Sequence, residues 1–173
     1  MGGDGADGAT KRGRAETVIL HFAYGSNMHL AVMRRHAPAA EPLGIATLSD
    51  HRFVITGDGY ASVGRTTART VHGVLWRLTP RDRVTLDGWE NVAGGLYRAE
   101  TIPVRHDGRL RNALVYLARP SGEGRPKAGY MELVVAAARE WKFPASYVAD
   151  LERWLPAGPA ASGTRKLGDI VWT

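Results

Sequence analysis

At 173 residues the chain is long enough for one domain with a real core, since domains commonly run to ~100–200 residues. No uninterrupted apolar stretch approaches the roughly 18 residues needed to cross a bilayer, and the lack of any cysteine excludes disulfides, thiolate metal sites and a cysteine nucleophile. The net charge of +6 is carried almost wholly by scattered arginines, with lysine only at Lys11, Lys127, Lys142 and Lys166; this describes a dispersed basic surface rather than a nucleic-acid footprint.

The opening stretch, MGGDGADGATKRGRAE, has no continuous apolar run of the kind a secretory signal needs, and its composition cannot bury enough surface to offset chain entropy. An unstructured tail over residues 1–15 is expected, and with it a cytoplasmic protein. Val18 to Ala23 is a short apolar run ending at Tyr24-Gly25-Ser26-Asn27, which reads as a buried strand and a tight turn. From Met28, the apolar Leu30, Val32 and Met33 predict a short helix that ends near Pro38. Asn27 is then the natural N-cap.

LGIATL and HRFVIT follow as strands, with Ser49-Asp50 between them as turn formers; in GDGYASVG, Asp58-Gly59 can supply the positive φ of a hairpin. VHGVLWRL predicts another buried strand. Thr79, Pro80 and Asp82 have the spacing of an N-cap, a proline at N1 and a capping-box acid, so a helix should run from Pro80 to about Asp87. GGLYRAETIPV and NALVYLA are two further strands, joined through Asp107-Gly108 as a hairpin. Beyond Pro126, Met131, Val134, Val135 and Ala138 recur at helical spacing, and a last helix should begin near Pro144 and carry Tyr147, Leu151 and Trp154. Residues 16–156 are thus expected to form a single α+β domain and 157–173 a C-terminal tail.

Few stretches carry chemistry. A glycine at a strand end can adopt backbone angles closed to other residues and let N–H groups converge on an anion or a carbonyl oxygen, which draws attention to Tyr24–Asn27. Ser26 lacks the G-x-S-x-G surroundings of a nucleophile elbow, so a serine hydrolase is not expected. The histidines show no H-E-x-x-H spacing, and His21, His51, His72 and His106 stand isolated, so no metal is expected. In LDGWENVAGGLY, residues 86–97, Glu90 sits beside Trp89. A carboxylate against an indole can be desolvated, which raises its pKa toward that of a useful base; the plain alternative is a solvated loop acid.

Taken in order, Tyr24-Gly25-Ser26-Asn27-Met28 after the first strand, GYASV, VHGVLWRL, LDGWENVAGGLY with its acid seven residues before a tyrosine, and Tyr130 on the late helix resemble the gamma-glutamylcyclotransferase family, also described as AIG2-like. The resemblance covers residues 18 to 155. It implies a small closed mixed β-sheet or barrel flanked by helices, with a cavity at one end and neither metal nor organic cofactor. It implies an enzyme, a cyclising lyase or acyltransferase, that converts a γ-glutamyl group to 5-oxoproline and releases the attached amine or amino acid. By position Glu90 matches the general acid/base; Tyr24, Gly25, Ser26 and Asn27 match the loop that holds the glutamyl moiety, and Tyr97 and Tyr130 match pocket tyrosines. Core aromatics are the competing reading of those two tyrosines.

Asn91 departs from the family pattern, in which a glycine commonly follows the acid. Ser26-Asn27 favours the branch typified by γ-glutamyl amino acids and dipeptides. The chemistry asks little of the protein, because the substrate's own α-amine can reach the γ-carbonyl in a five-membered ring. With pKa values of about 8 for the amine and about 4.3 for a glutamate, transfer to an unperturbed carboxylate is uphill by roughly 5 kcal/mol. The expected partner is a small γ-glutamyl substrate, without membrane or nucleic acid, taken up by a monomer or homodimer. Two other readings stand beside it: a noncatalytic small-molecule binding module on the same fold, and removal of a γ-glutamyl protecting group in a biosynthetic pathway.

Overall fold

A computed structural model describes residues 18–156 of the chain; the tails expected at 1–15 and 157–173 lie outside the described residues. Five strands make a closed barrel in the order β1-β3-β2-β4-β5. They are β1 (Ile19–Ala23), β2 (Glu41–Ile55), β3 (Ala61–Leu78), β4 (Tyr97–His106) and β5 (Arg109–Ala118). Helices α1 (Leu30–His36), α2 (Pro80–Trp89), α3 (Tyr130–Glu140) and α4 (Ala145–Glu152) flank the barrel. Among the described residues no helix is long and apolar enough to cross a membrane.

Two hairpins build most of the sheet. β2 and β3 pair antiparallel from Glu41↔Arg77 to Ile55↔Ala61, with Gly59 at φ 83 in the turn. β4 and β5 pair from Tyr97↔Ala118 to His106↔Arg109 across Asp107 and Gly108, at φ 46 and 73, the paired positive angles of a two-residue hairpin turn. β1 is antiparallel to β3 from Ile19↔Leu78 to Ala23↔Val74, and a parallel bridge at His21↔Leu114 closes the barrel onto β5. A closed sheet removes the unpaired edges that a strand of this length would otherwise expose.

One expectation is corrected. Ser49-Asp50 does not separate two strands: β2 runs through it as a bulge, the register shifting between Ser49 and His51. Asp50 adopts φ 56 and its carboxylate accepts the Ala68 N–H at 3.1 Å, so the residues that favour a turn are used here to bend one long strand. The starts of α2 and α3 follow their local signals. Thr79 accepts the Asp82 N–H at 3.1 Å while the Asp82 carboxylate accepts the Thr79 N–H at 3.1 Å, the reciprocal capping box. α3 presents Met131, Val134, Val135 and Ala138 to the core, all buried, and α4 follows with Pro144 at its N-cap. The core they complete contains Phe22, Leu75, Trp76, Val115 and Leu151.

The closing seam between β1 and β5 has an added side-chain stitch. Buried His21 donates from Nδ1 to the Leu114 carbonyl at 3.0 Å, and its ring meets Tyr116 edge-on with centroids 5.3 Å apart. Burial pulls the imidazole pKa down from 6.5 to about 4. The unfolded chain therefore takes up a proton below pH 6.5 that the folded chain refuses, so this stabilising contribution is whole above that pH and fades as pH falls toward 4. A loss of roughly 3 kcal/mol is expected between those limits. Urea unfolding at a series of pH values should show the slope, and His21→Gln should flatten it.

Candidate functional site

The turn after β1 is where the sequence and the structure meet most closely. Tyr24 continues the strand into the interior, and Ser26–Met28 makes one 3-10 turn, with the Met28 and His29 N–H groups closing onto the Gly25 and Ser26 carbonyls at 3.0 Å each. The helix then starts at Leu30, two residues later than expected. Its N-cap is His29, whose Nδ1 accepts the Ala31 N–H at 3.2 Å. Asn27 is thus not the cap. It is buried, and it donates from Nδ2 to Glu90 Oε1 at 2.7 Å.

Gly25 is required for space. Its φ is −112, but a Cβ there would stand 2.7 Å from the Tyr130 hydroxyl and 3.3 Å from the Ala61 Cβ. The turn is held from the far side as well, where Trp141, at the end of α3, donates from Nε1 to the Met28 carbonyl at 2.8 Å.

Glu90 is the C-cap residue of α2. It shares with Tyr24–Asn27 a cavity of about 230 Å³ whose walls also include Tyr97 and Tyr130. The site residues singled out from sequence therefore line one pocket. Desolvation raises the Glu90 pKa from 4.5 to about 7, and the Asn27 hydrogen bond opposes part of that rise. The neighbouring Trp89 also lines the pocket, but its indole stacks on His36, with centroids 3.7 Å apart and planes 22° from parallel.

Asn91 lies at φ 47, in the left-handed region that glycine adopts without cost and asparagine tolerates better than most residues. Its side chain accepts the Gly94 N–H at 3.1 Å. Asparagine thus holds a position that glycine would occupy freely, and the Glu90 carboxyl meets Asn27.

The tyrosines are structural and electrostatic at once. Tyr24 donates to the Tyr116 carbonyl, and Tyr97 donates to the Ala61 carbonyl at 2.8 Å. Tyr130 accepts the Ala61 N–H at 3.2 Å. Burial pushes Tyr130 up to about 12, with the Ala61 hydrogen bond pulling the other way; desolvation likewise drives Tyr24, Tyr97 and Tyr116 well above the ordinary tyrosine value. These four stay neutral near pH 7, as does His21, and Glu90 is left to change charge there.

Sequence reasoning passed over His21, Tyr60, Leu96 and Tyr116, which also line the pocket. An isolated histidine in a strand and aromatics on distant strands give no local signal of a shared cavity. His21 Nε2 and Asn27 Oδ1 are buried without a hydrogen-bond partner among the described residues, a pair of acceptors in the pocket wall. No cluster of histidine, aspartate and glutamate suited to a metal occurs among the described residues.

A small barrel closed by a parallel β1–β5 seam and flanked by four helices has the gamma-glutamylcyclotransferase-like fold. A solved structure of a gamma-glutamyl cyclotransferase superposes with a TM-score of 0.78 at 22% identity, covering 88% of this chain and 97% of its own. The gamma-glutamylcyclotransferase of Homo sapiens is 24% identical over 92% of this chain and 90% of its own length; that of Mus musculus is likewise 24% identical over the same shares. The AIG2-like family model matches residues 70–151, and over that stretch the chain is similar to this family.

Two measurements probe the site. Asn27→Ala, which removes the hydrogen bond that favours the ionised carboxyl, should move the Glu90 titration further upward, read from side-chain carboxyl shifts by ¹³C NMR. Gly25→Ala should cost about 1–3 kcal/mol by overpacking against Tyr130, and adding Tyr130→Phe should recover part of it in a denaturation double-mutant cycle.

Proposed function

We propose that the chain is a gamma-glutamylcyclotransferase-type enzyme, cyclising a γ-glutamyl group to 5-oxoproline and releasing the attached amine or amino acid. The observation that carries this reading is the Glu90 carboxyl, raised to about 7 and hydrogen-bonded to Asn27 at 2.7 Å inside the pocket. In this reading the substrate's glutamyl part lies along Tyr24–Asn27, whose backbone N–H groups and Ser26 hydroxyl supply donors to its carboxylate and carbonyl oxygens. The unpartnered Asn27 Oδ1 accepts from the α-ammonium.

Glu90 takes a proton from that ammonium, and the freed nitrogen attacks the γ-carbonyl carbon to close the five-membered ring. The tetrahedral centre then collapses with cleavage of the original C–N bond, and Glu90 returns the proton to the departing nitrogen. The ring nitrogen then gives up its second proton by the same route, through the again ionised Glu90, to the departing amine, which leaves as an ammonium. Two protons thus pass from the attacking to the leaving nitrogen, and no group from the protein becomes covalently attached. Raising the carboxyl to about 7 brings it within about a unit of an α-amine near 8, so the first transfer is uphill by about 1.4 kcal/mol rather than roughly 5. Tyr97 and Tyr130, neutral and fixed by Ala61, shape the glutamyl end of the cavity.

The reaction is tested by incubating the protein with γ-glutamyl amino acids and γ-glutamyl amines and measuring 5-oxoproline. Glu90→Gln should lower the rate by 10²–10⁴-fold, the usual contribution of a positioned acid/base, and comparable release from both proteins would refute the role. Since Glu90 must be ionised to act as base, kcat/KM should rise with pH through about 7. That limb should vanish in the Glu90→Gln residual activity.

A further inference from the structure

Resting on the cyclotransferase reading, we propose that the leaving group is an amine with an apolar or aromatic body and no carboxylate, and that Trp89 is the specificity-determining wall that receives it. Around the desolvated Glu90 carboxyl, the lining side chains that are partly exposed are Val32, Tyr60, Trp89, Leu96 and Ser26. Four of these five are apolar or aromatic. Among the described residues no lysine or arginine lines the pocket, and the formal anion there is Glu90. An amino-acid leaving group would therefore bring its carboxylate into a pocket that offers no cation and already holds a like charge, an arrangement that costs affinity.

Two cations nearby have partners of their own: Arg83 donates to both Asp87 oxygens at 2.9 Å, and Lys127, which is not a lining residue, holds its Nζ 4.6 Å from the centre of the ring of Tyr60, which is one. Trp89, by contrast, is 39% exposed and is fixed in orientation by its stack on His36. As the last residue of α2 it directly precedes Glu90, so the residue that would protonate the leaving nitrogen and the surface that would receive its substituent are chain neighbours. A rigid indole presents a large apolar face at little entropic cost.

Three conjugates separate the possibilities. γ-Glutamylphenethylamine and γ-glutamylphenylalanine differ by the carboxylate alone, and γ-glutamylmethylamine lacks the apolar body. The phenethylamine conjugate should be turned over with kcat/KM at least tenfold above each of the others, the scale on which apolar contacts discriminate. Trp89→Phe should keep the preference, and Trp89→Lys should shift it toward the phenylalanine conjugate. Equal or better turnover of the phenylalanine conjugate by the unmodified protein overturns the inference while leaving the cyclotransferase reading intact, and loss of that turnover in Lys127→Ala would assign the carboxylate to Lys127. Release of 5-oxoproline from none of the three overturns both.

Discussion

The contact between Asn27 and Glu90 is the constraint on which the site depends. The two residues are 63 apart in sequence, and their side chains meet at 2.7 Å where water has been largely displaced from the carboxyl. A carboxylate so placed must either find donors or accept a proton; with one amide donor, Glu90 is held between the two, near neutrality. More donors would have returned it to an ordinary acid, and none would have left it protonated well above physiological pH. The amide also fixes which way the carboxyl points, because its nitrogen is spent on Glu90 while its oxygen stays unpartnered.

That contact requires two local structures to be rigid independently. On one side, the 3-10 turn is closed by its own backbone bonds and tied to α3 through Trp141. On the other, α2 is anchored at its start by the Thr79–Asp82 capping box, and the Asp82 carboxylate also accepts the Ala39 N–H at 3.3 Å. α2 therefore begins in register with the segment after α1 and ends with Glu90 over the turn. The left-handed Asn91 then redirects the chain into β4, so the acid sits at a reversal of direction rather than along a helix face.

Ala61 has a quiet part in the same design. Its N–H is accepted by Tyr130 and its carbonyl is taken by Tyr97, so one residue at the start of β3 orients aromatic rings from β4 and α3. Gly25 opposes it, where a methyl group would stand 2.7 Å from the Tyr130 hydroxyl. Because both backbone groups of Ala61 and the absent side chain of Gly25 act together, the aromatic end of the pocket is set by main-chain geometry and resists change in any one ring. This is economical for a site whose tyrosines must remain neutral donors or acceptors rather than titrate.

The local instructions were legible in the sequence: the apolar run before Tyr24, the Asp58-Gly59 and Asp107-Gly108 turns, the Thr79-Pro80-Asp82 start and the helical spacing of Met131 to Ala138 all act over a few residues, where propensity and hydrogen-bond chemistry decide. The ordered motifs also singled out Glu90 and Tyr24–Asn27. What sequence could not decide depended on neighbours distant along the chain. Ser49-Asp50 became a bulge because β3 was there to pair with both halves of β2; Asn27 left the helix cap because Glu90 offered a charged acceptor; Gly25 was needed because Tyr130 stands over it. The shift of Glu90, the neutrality of His21 and the apolar rim around Trp89 are likewise products of burial, and burial exists only once the barrel has closed.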